Sequence, residues 1–508
     1  MADRLNAREL IDTVLDPDSF VSWDLPIVPS SPLVPEYSAE LTAARERTGL
    51  DESVLTGCGT IQGMRVAVIV SEFGFLGGSV GVECARRIHA AVRRATTEGL
   101  ALLAAPASGG TRMQEGTVAF VHMVHITSAL VAHRNAGLPY LVYLRHPTTG
   151  GVFASWGSLG DLTVAEPGAL LGFLGPRVFE AMTGTEFPKD IQTAENLAKH
   201  GLIDAVVAPD RLAELAGRAL RVLRGSVVPP DSSAGSRGLP EPGQQLGDLD
   251  GDVWAAVIRT RDQRRPGVRD LLKRVGNDIV PMLGTAEGEQ QGGLLLALAS
   301  VAGVACLVIG QDRLGQRRYG PIGPAGLRQV RRGIRLAAEL RLPIVSVIDT
   351  PGASLSRSAE EGGLASEIAR CVVDMLTVPS ATITVLFGEG GGGAALALLP
   401  ADRILAASSA WLSPLPPEGA SAIVHHGDPS FAAQLAAAQG IGAFQLERDR
   451  IVDLVIEERP QDGTPAFLDR IGAAVAAAIA DVAMTPLDLR LTRRGERFDV
   501  DVVRGPRD

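Results

Sequence analysis

At 508 residues the chain is too long for one ordinary hydrophobic core, so two or more domains are expected. Its 46% hydrophobic and 21% charged content is that of a globular protein, and a formal net charge of -10 excludes nucleic acid as a bulk partner while leaving room for a local basic patch. The four cysteines, Cys58, Cys84, Cys306 and Cys371, form no C-x-x-C pair, so reduced thiols are expected, with no zinc ribbon, other metal site or disulfide framework.

Taken in order, Asn6–Leu15 predicts a short helix, followed by an extended lead-in rich in proline. Met1–Leu5 carries no apolar signal core, and no unbroken apolar run is long enough to span a bilayer, so a cytoplasmic chain without membrane contact is expected. Val66–Val70 predicts a strand, Phe73–Ser79 a loop and Glu83–Glu98 a helix. Leu100–Ala105 predicts a second strand, ending in Pro106-Ala107-Ser108-Gly109-Gly110-Thr111-Arg112. Val118–Arg134 predicts a helix, and Tyr140–Leu144 a buried strand delivered into Thr148-Thr149-Gly150-Gly151-Val152. Ile191–Gly201 and Pro209–Leu223 predict helices. Gly225–Asp250 holds Pro229-Pro230, Ser232-Ser233 and Pro240-Glu241-Pro242 with little apolar content, which predicts a linker between a domain over 1–224 and one over 251–508.

The pattern then returns. Val304–Ile309 predicts a strand, Gly320–Gly326 a loop, and Leu327, Val330, Ile334 and Ala337 the core stripe of an amphipathic helix. Arg328, Arg331, Arg332 and Arg335 lie off that stripe and read as a solvated face, with phosphate contact the minority reading. Ile344–Ile348 predicts a strand ending in Asp349-Thr350-Pro351-Gly352-Ala353, Glu361–Leu376 a helix, and Ala381–Phe387 a strand entering Gly390-Gly391-Gly392-Gly393-Ala394-Ala395. Gly109 and Gly352 share one spacing with Gly150 and Gly393 (352 − 109 = 243, 393 − 150 = 243), which predicts two copies of one α/β domain with a mostly parallel sheet.

No Ser-His-Asp order, H-E-x-x-H or phosphate-binding P-loop is present. His122 and His125, three apart, and the adjacent His425 and His426 lack carboxylate partners in sequence, so packing and surface roles are preferred. Asp349, Glu360, Glu361 and Glu389 lie near the turns; any can serve as a base, although capping is the commoner role. Backbone catalysis is left. Glycine lets N–H groups approach a ligand, and N–H groups opening a helix favour negative charge. Preorganised donors stabilise a thioester enolate by roughly 3–4 kcal/mol each. Two such turns suit a reaction that develops two oxyanions.

These segments carry a resemblance. In the first half they are Ser71–Ser79, Ser108-Gly109-Gly110-Thr111-Arg112-Met113-Gln114-Glu115, Pro147–Val152, Gly160-Asp161, Ala165-Glu166-Pro167 and Gly175-Pro176-Arg177-Val178. In the second they are Ile348–Ala353, Ala359-Glu360-Glu361, Gly388–Gly391 and Pro417-Glu418-Gly419. From about Leu5 to about Glu457 the chain resembles the carboxyltransferases of biotin-dependent acyl-CoA carboxylases. It is most similar to the bacterial acetyl-CoA carboxylase carboxyltransferase, with the β and α subunits fused in one chain. The resemblance implies an α/β fold of two tandem crotonase (ClpP-like) domains. It implies transfer of CO2 from carboxybiotin, held on a separate carrier protein, to the α-carbon of acetyl-CoA or propionyl-CoA. A biotin carboxylase or biotin carrier subunit is the implied partner, and lipid metabolism the setting. Gly150 and Gly151 match the pair that holds the enolate, and Gly393 and Ala394 the pair that holds the ureido oxygen of biotin. Ser108, Gly109, Gly110, Thr111 and Arg112, with Gly352, Ala353 and Gly392, match the ligand-binding turns around them. In that scheme the biotin anion removes the substrate proton, so no side-chain base is required. The chain would form at least a homodimer, the first half of one protomer facing the second half of its partner. Gly150→Val then tests the enolate site. Ala394 replaces a usual glycine, Ser354 replaces the tyrosine after Pro-Gly-Ala, and the stretch Gln311–Arg318 departs from the family pattern. Two alternatives stand beside this: a biotin-independent malonyl-thioester decarboxylase, and a non-catalytic carboxylase paralogue.

Overall fold

The computed structural model describes residues 4–27, 34–225, 252–426, 428–459, 461 and 463–499. The expected linker therefore lies, apart from Gly225, outside the described residues. The chain divides into two compact units, Met1–Leu220 with Ala286–Gly288, and Arg221–Thr285 with Glu289–Asp508.

In the first unit a seven-stranded sheet has the order β1-β2-β3-β4-β5-β7-β9. Its strands are β1 (Val21–Ser22), β2 (Val54–Ile61), β3 (Met64–Ser71), β4 (Ala101–Ala105), β5 (Tyr140–Leu144), β7 (Leu162–Ala165) and β9 (Ala205–Val206). β6 (Thr148–Thr149) and β8 (Leu171–Gly172) form a separate parallel pair. β1 to β3 pair antiparallel and the rest parallel. Two-sided burial explains the composition: every residue of β4 and β5 is buried, so both read as continuous apolar runs. The β2–β3 hairpin turns on Gln62 and Gly63, both left-handed, as a two-residue connection requires.

The second unit repeats the plan in an eight-stranded sheet, β10-β11-β12-β13-β14-β15-β17, with β16 paired to β14. Here β10 is Gly276–Met282, β11 Leu294–Val301, β12 Val304–Gln311, β13 Ile344–Thr350, β14 Thr382–Gly391, β15 Arg403–Ala407, β16 Trp411–Ser413 and β17 Leu454–Ile456. β10 to β12 pair antiparallel and the rest parallel. The β11–β12 hairpin again turns on two left-handed residues, Ala302 and Gly303.

Two expectations change, and a third gains a qualification. The lead-in after the first helix is not all extended: Pro35–Thr48 is a helix, with proline at its first position and Gly49 closing it at φ 67°. Its Tyr37, Leu41 and Ala44 pack with Leu50 and Phe75 into a small core. The qualification is the helix Met113–Asn135, which is long and apolar enough to cross a membrane by length and composition, although its apolar residues are interrupted and form no unbroken run. One face, with Met123, Ile126 and Leu130, is buried in the core of the unit, while Phe120, Val121 and Val124 are exposed. Lastly, the repeat is offset by 242 residues in space, not 243. Strand pairing aligns Leu102↔Tyr140 with Ile344↔Thr382, and the bridge Val80↔Thr111 with Ile322↔Ala353 (344 − 102 = 242, 353 − 111 = 242). Sequence identity at glycines suggested the other spacing because the second run offers several glycines in a row.

Candidate active site

Strands β4 and β5 deliver the first pair of turns side by side. Ser108 N–H donates to Pro147 O at 2.6 Å and Thr149 N–H to Ser108 O at 2.9 Å, which ties Ser108–Thr111 to Thr148–Gly151. Ser108 is buried, and its Oγ accepts the Gly110 N–H at 3.0 Å. Gly150 adopts φ +64°, and a Cβ there would lie 3.1 Å from Gly109 O and 3.2 Å from Gly110 Cα. Its N–H is already spent on Phe173 O at 2.8 Å. The Gly150–Phe153 helix that follows leaves the N–H groups of its first turn without intrahelical acceptors. Gly151, half-buried, is thus the donor position that the turn presents. The nearest atoms to a Cβ there would be Thr111 Oγ1 at 3.3 Å and the Met123 side chain.

The second unit builds the same pair. Thr350 Oγ1 accepts the Gly352 N–H at 3.2 Å, repeating the Ser108–Gly110 contact. Gly352 has φ +150° where Gly110 has +111°, and Gly392 has +61° where Gly150 has +64°. Gly390 and Gly391 are not loop but the end of β14; a Cβ on Gly391 would strike Pro351 O at 2.2 Å, so glycine is what lets the two turns touch. The helix Gly392–Leu396 then presents Gly393 as the equivalent of Gly151, and Ala394 as that of Val152. Ala394 and Val152 are both fully buried, so the alanine that departs from the family pattern points its Cβ into the core. Ala353 is half-buried beside Gly352 and is bridged to Ile322.

The structure therefore brings the expected segments together within each unit. Ser108, Gly109, Gly110, Thr111, Gly150 and Gly151 meet in one unit, and Gly352, Ala353, Gly392, Gly393 and Ala394 in the other. Arg112 differs. Its side chain is buried, ion-paired with Glu52, and donates to Ser79 O at 2.7 Å and Ser53 Oγ at 3.1 Å. It anchors its loop from beneath, and only its backbone lies along the turn.

The acidic residues near the second turn divide in the same way. Asp349 is buried, and that burial, against the pull of Arg313, pushes its carboxyl up to about 6. Its Oδ1 accepts the Glu389 N–H at 3.2 Å, and Oδ2 lies 3.7 Å from Arg313. Glu389 lies 3.4 Å from Arg261, and Glu361 2.7 Å from Arg357. Arg328 pairs with Glu289 and Glu367, and Arg331 with Glu367 and Asp374, so these arginines bridge elements rather than form a phosphate site. His125 stacks on His89 at 3.7 Å, and His425 on Phe431 at 4.5 Å. Among the described residues no His, Cys, Asp and Glu group is placed to hold a metal ion. Two residues that sequence reasoning missed, Gln311 and Gln316, bond directly to the turns from buried positions.

Comparison with known proteins shows the family and the fold. The carboxyl transferase domain family matches residues 2–486. The probable biotin-dependent acyl-coenzyme A carboxylase beta3 subunit of Mycobacterium tuberculosis is 52% identical over 497 residues, 97% of this chain and 98% of that protein. The acetyl-coenzyme A carboxylase carboxyl transferase subunits beta/alpha of Salinispora tropica are 36% identical over 511 residues, 97% of this chain and 90% of that protein. The structure of the transcarboxylase 12S hexamer, with methylmalonyl-coenzyme A and methylmalonic acid bound, matches with a TM-score of 0.74 at 21% identity, over 95% of this chain and 90% of that chain. A single-chain, multi-domain long-chain acyl-CoA carboxylase matches at 0.69 and 19% identity, over 94% of this chain and 46% of that one. At these identities the structures speak for the fold, which is the tandem crotonase-type α/β architecture.

Proposed function

Because the chain belongs to the carboxyl transferase domain family, we propose that it is the carboxyltransferase component of a biotin-dependent acyl-CoA carboxylase, acting on acetyl-CoA or propionyl-CoA. The observation that carries this is the doubled turn: two glycine turns in which Gly150 and Gly392 share one left-handed φ and the hydroxyl contacts to Gly110 and Gly352 recur, each at the end of a parallel strand and the start of a short helix. Each offers backbone N–H groups to an oxygen that gains negative charge.

The first unit holds the thioester oxygen at Gly151, and the absence of a Cβ there admits the acyl group. The second holds the ureido oxygen of biotin at Gly393 and Ala394, whose N–H groups open a helix. Carboxybiotin, when bound there, would supply the CO2 and, after its release, the base. The chain's own part is to orient the two ligands and to keep water from them, and proximity provides much of the acceleration. Asp349, with its carboxyl turned into the core beside Arg313, serves the second turn as support rather than as a base.

The partner is a biotin carrier, and the chain works as a homo-oligomer of at least two copies. The exposed apolar residues Phe120, Val121 and Val124 support an interface that excludes water. The assay that tests the function is decarboxylation of malonyl-CoA and methylmalonyl-CoA with and without biocytin. Turnover that requires biocytin is expected. Equal turnover without it would favour the biotin-independent decarboxylase, and a folded but inactive protein the non-catalytic paralogue. If each site is assembled from two protomers, a mixed species of Gly151→Val and Gly393→Val chains, purified by two tags, recovers up to about half the parental activity. A mixed species as inactive as either parent overturns that assembly.

A further inference from the structure

The second unit braces its glycine turn with a device that has no counterpart among the described residues of the first. In the helix Gly392–Leu396, Ala397 N–H reaches Gly393 O at 3.0 Å, but Leu398 N–H turns to Ala395 O at 3.1 Å, which drops the Ala394 carbonyl from the helical ladder. Gln311, the last residue of β12, takes that carbonyl with its Nε2 at 2.7 Å. Its Oε1 accepts the Asp349 N–H at 3.1 Å. One buried amide thus links the end of β13, which carries Asp349–Gly352, to the turn that presents Gly393. Gln316 adds a second brace: Nε2 donates to Asp349 O at 2.9 Å, and Oε1 accepts from Thr350 Oγ1 at 2.6 Å, the hydroxyl that receives the Gly352 N–H.

The first unit does without these. The pairings Ala67↔Leu102 and Leu307↔Ile344 place Ser71 where the second unit has Gln311, and serine is too short for the span. The equivalent carbonyl, Val152 O, accepts instead from the Ser155 N–H at 3.3 Å, within its own turn. At this carbonyl the first turn is closed locally, whereas the second is held by a side chain from the neighbouring strand. A buried polar side chain with both ends satisfied fixes one geometry, because any departure leaves a donor or acceptor unpaired.

We infer that Gln311 is a positioning residue for the second glycine turn, setting with Gln316 its distance from the Asp349–Gly352 turn. The inference rests on the function proposed above, in which this turn receives biotin. Its loss therefore strikes the biotin side of the reaction and spares the acyl-CoA side.

The test uses the full chain in the biocytin-dependent malonyl-CoA assay. Gln311→Met keeps the length and volume and removes both hydrogen bonds; Thr350→Val removes the hydroxyl link at constant shape. Gln311→Met is expected to lower kcat roughly 100-fold and to raise the biocytin KM, with malonyl-CoA affinity by calorimetry within about two-fold of the parent. Thr350→Val is expected to shift the same two parameters in the same direction by less. A folded Gln311→Met protein with parental kcat and biocytin KM overturns the inference, and so does a malonyl-CoA affinity that falls in step with kcat. If Gln311→Met does not fold, Thr350→Val decides alone: an unchanged biocytin KM overturns the inference. A parent without biocytin-dependent turnover overturns the proposed function itself, and the inference with it.

Discussion

Gly151→Val is expected to cut acyl-CoA turnover by a factor of roughly 100–1,000 while leaving the fold intact. The sequence alone pointed to Gly150 for this experiment, and the structure moves it one residue along. At Gly150 the φ of +64° and the approach of Gly109 O make any side chain strain the backbone, so lost activity there would report a deformed loop. Its N–H is also committed to Phe173 O. At Gly151 φ is not left-handed, and the nearest neighbours of a new Cβ are the Thr111 hydroxyl at 3.3 Å and a methionine side chain. Valine fits that backbone and places two methyl groups before the N–H that a thioester oxygen must reach. Gly393→Val is the counterpart: its Cβ would meet the end of the Ile368 side chain at 2.6 Å, which can shift. An unfolding curve like the parent's, together with lost turnover, is the expected pair of results. Turnover within a few-fold of the parent for folded Gly151→Val would place the oxyanion site elsewhere.

Arg494→Ala is expected to destabilise the second unit by about 3–5 kcal/mol, the cost of stripping one partner from a buried ion pair. Arg494 lies in the helix Leu487–Glu496, with its side chain 0% exposed. It pairs with Asp402 at 2.8 Å. It also donates to Met375 O and Val378 O at 2.8 Å and to Ser380 O at 3.1 Å. Those carbonyls end the helix Leu364–Thr377 and the turn into β14, so one guanidinium caps a helix and docks another onto it. Removing it leaves the carbonyls and Asp402 short of donors. A fall in melting temperature of roughly 10 °C follows for a unit of this size. Arg494→Lys should restore only part of it, because an ammonium cannot serve carboxylate and carbonyls in one plane. A melting temperature for Arg494→Ala within about 2 °C of the parent would refute this account.

Local order was largely legible in the sequence. Tyr140–Leu144 forms the strand expected of it, residue for residue, because a strand buried on both faces must be an unbroken apolar run. The strand, glycine turn and helix order of each half followed from periodicity and from glycine, which act over a few residues. The Pro35–Thr48 helix lies within a proline-rich stretch expected to be extended, although at the first helical position proline's missing N–H costs nothing. β10 leaves little trace because only its Val280 and Met282 are buried, whereas β11, an almost wholly buried apolar run over Leu294–Ala299, is as legible as a parallel strand and is simply absent from the expectations above.

The doubled plan, the family and the set of turns that meet depend on residue types at short spacing, and so are written in the sequence. The alignment of the copies at 242 and, with it, which N–H each turn presents, depends on contacts that form only on folding. Gly150 and Gly151 are alike as letters; backbone conformation and the bond to Phe173 O separate them. The supports were hidden for a related reason. Gln311 reaches Ala394 across 83 residues, Arg112 reaches Glu52 across 60, and Arg494 reaches Asp402 across 92. Such contacts leave no periodic mark, because a buried polar side chain finds its partner only when the sheet has brought the strand ends together.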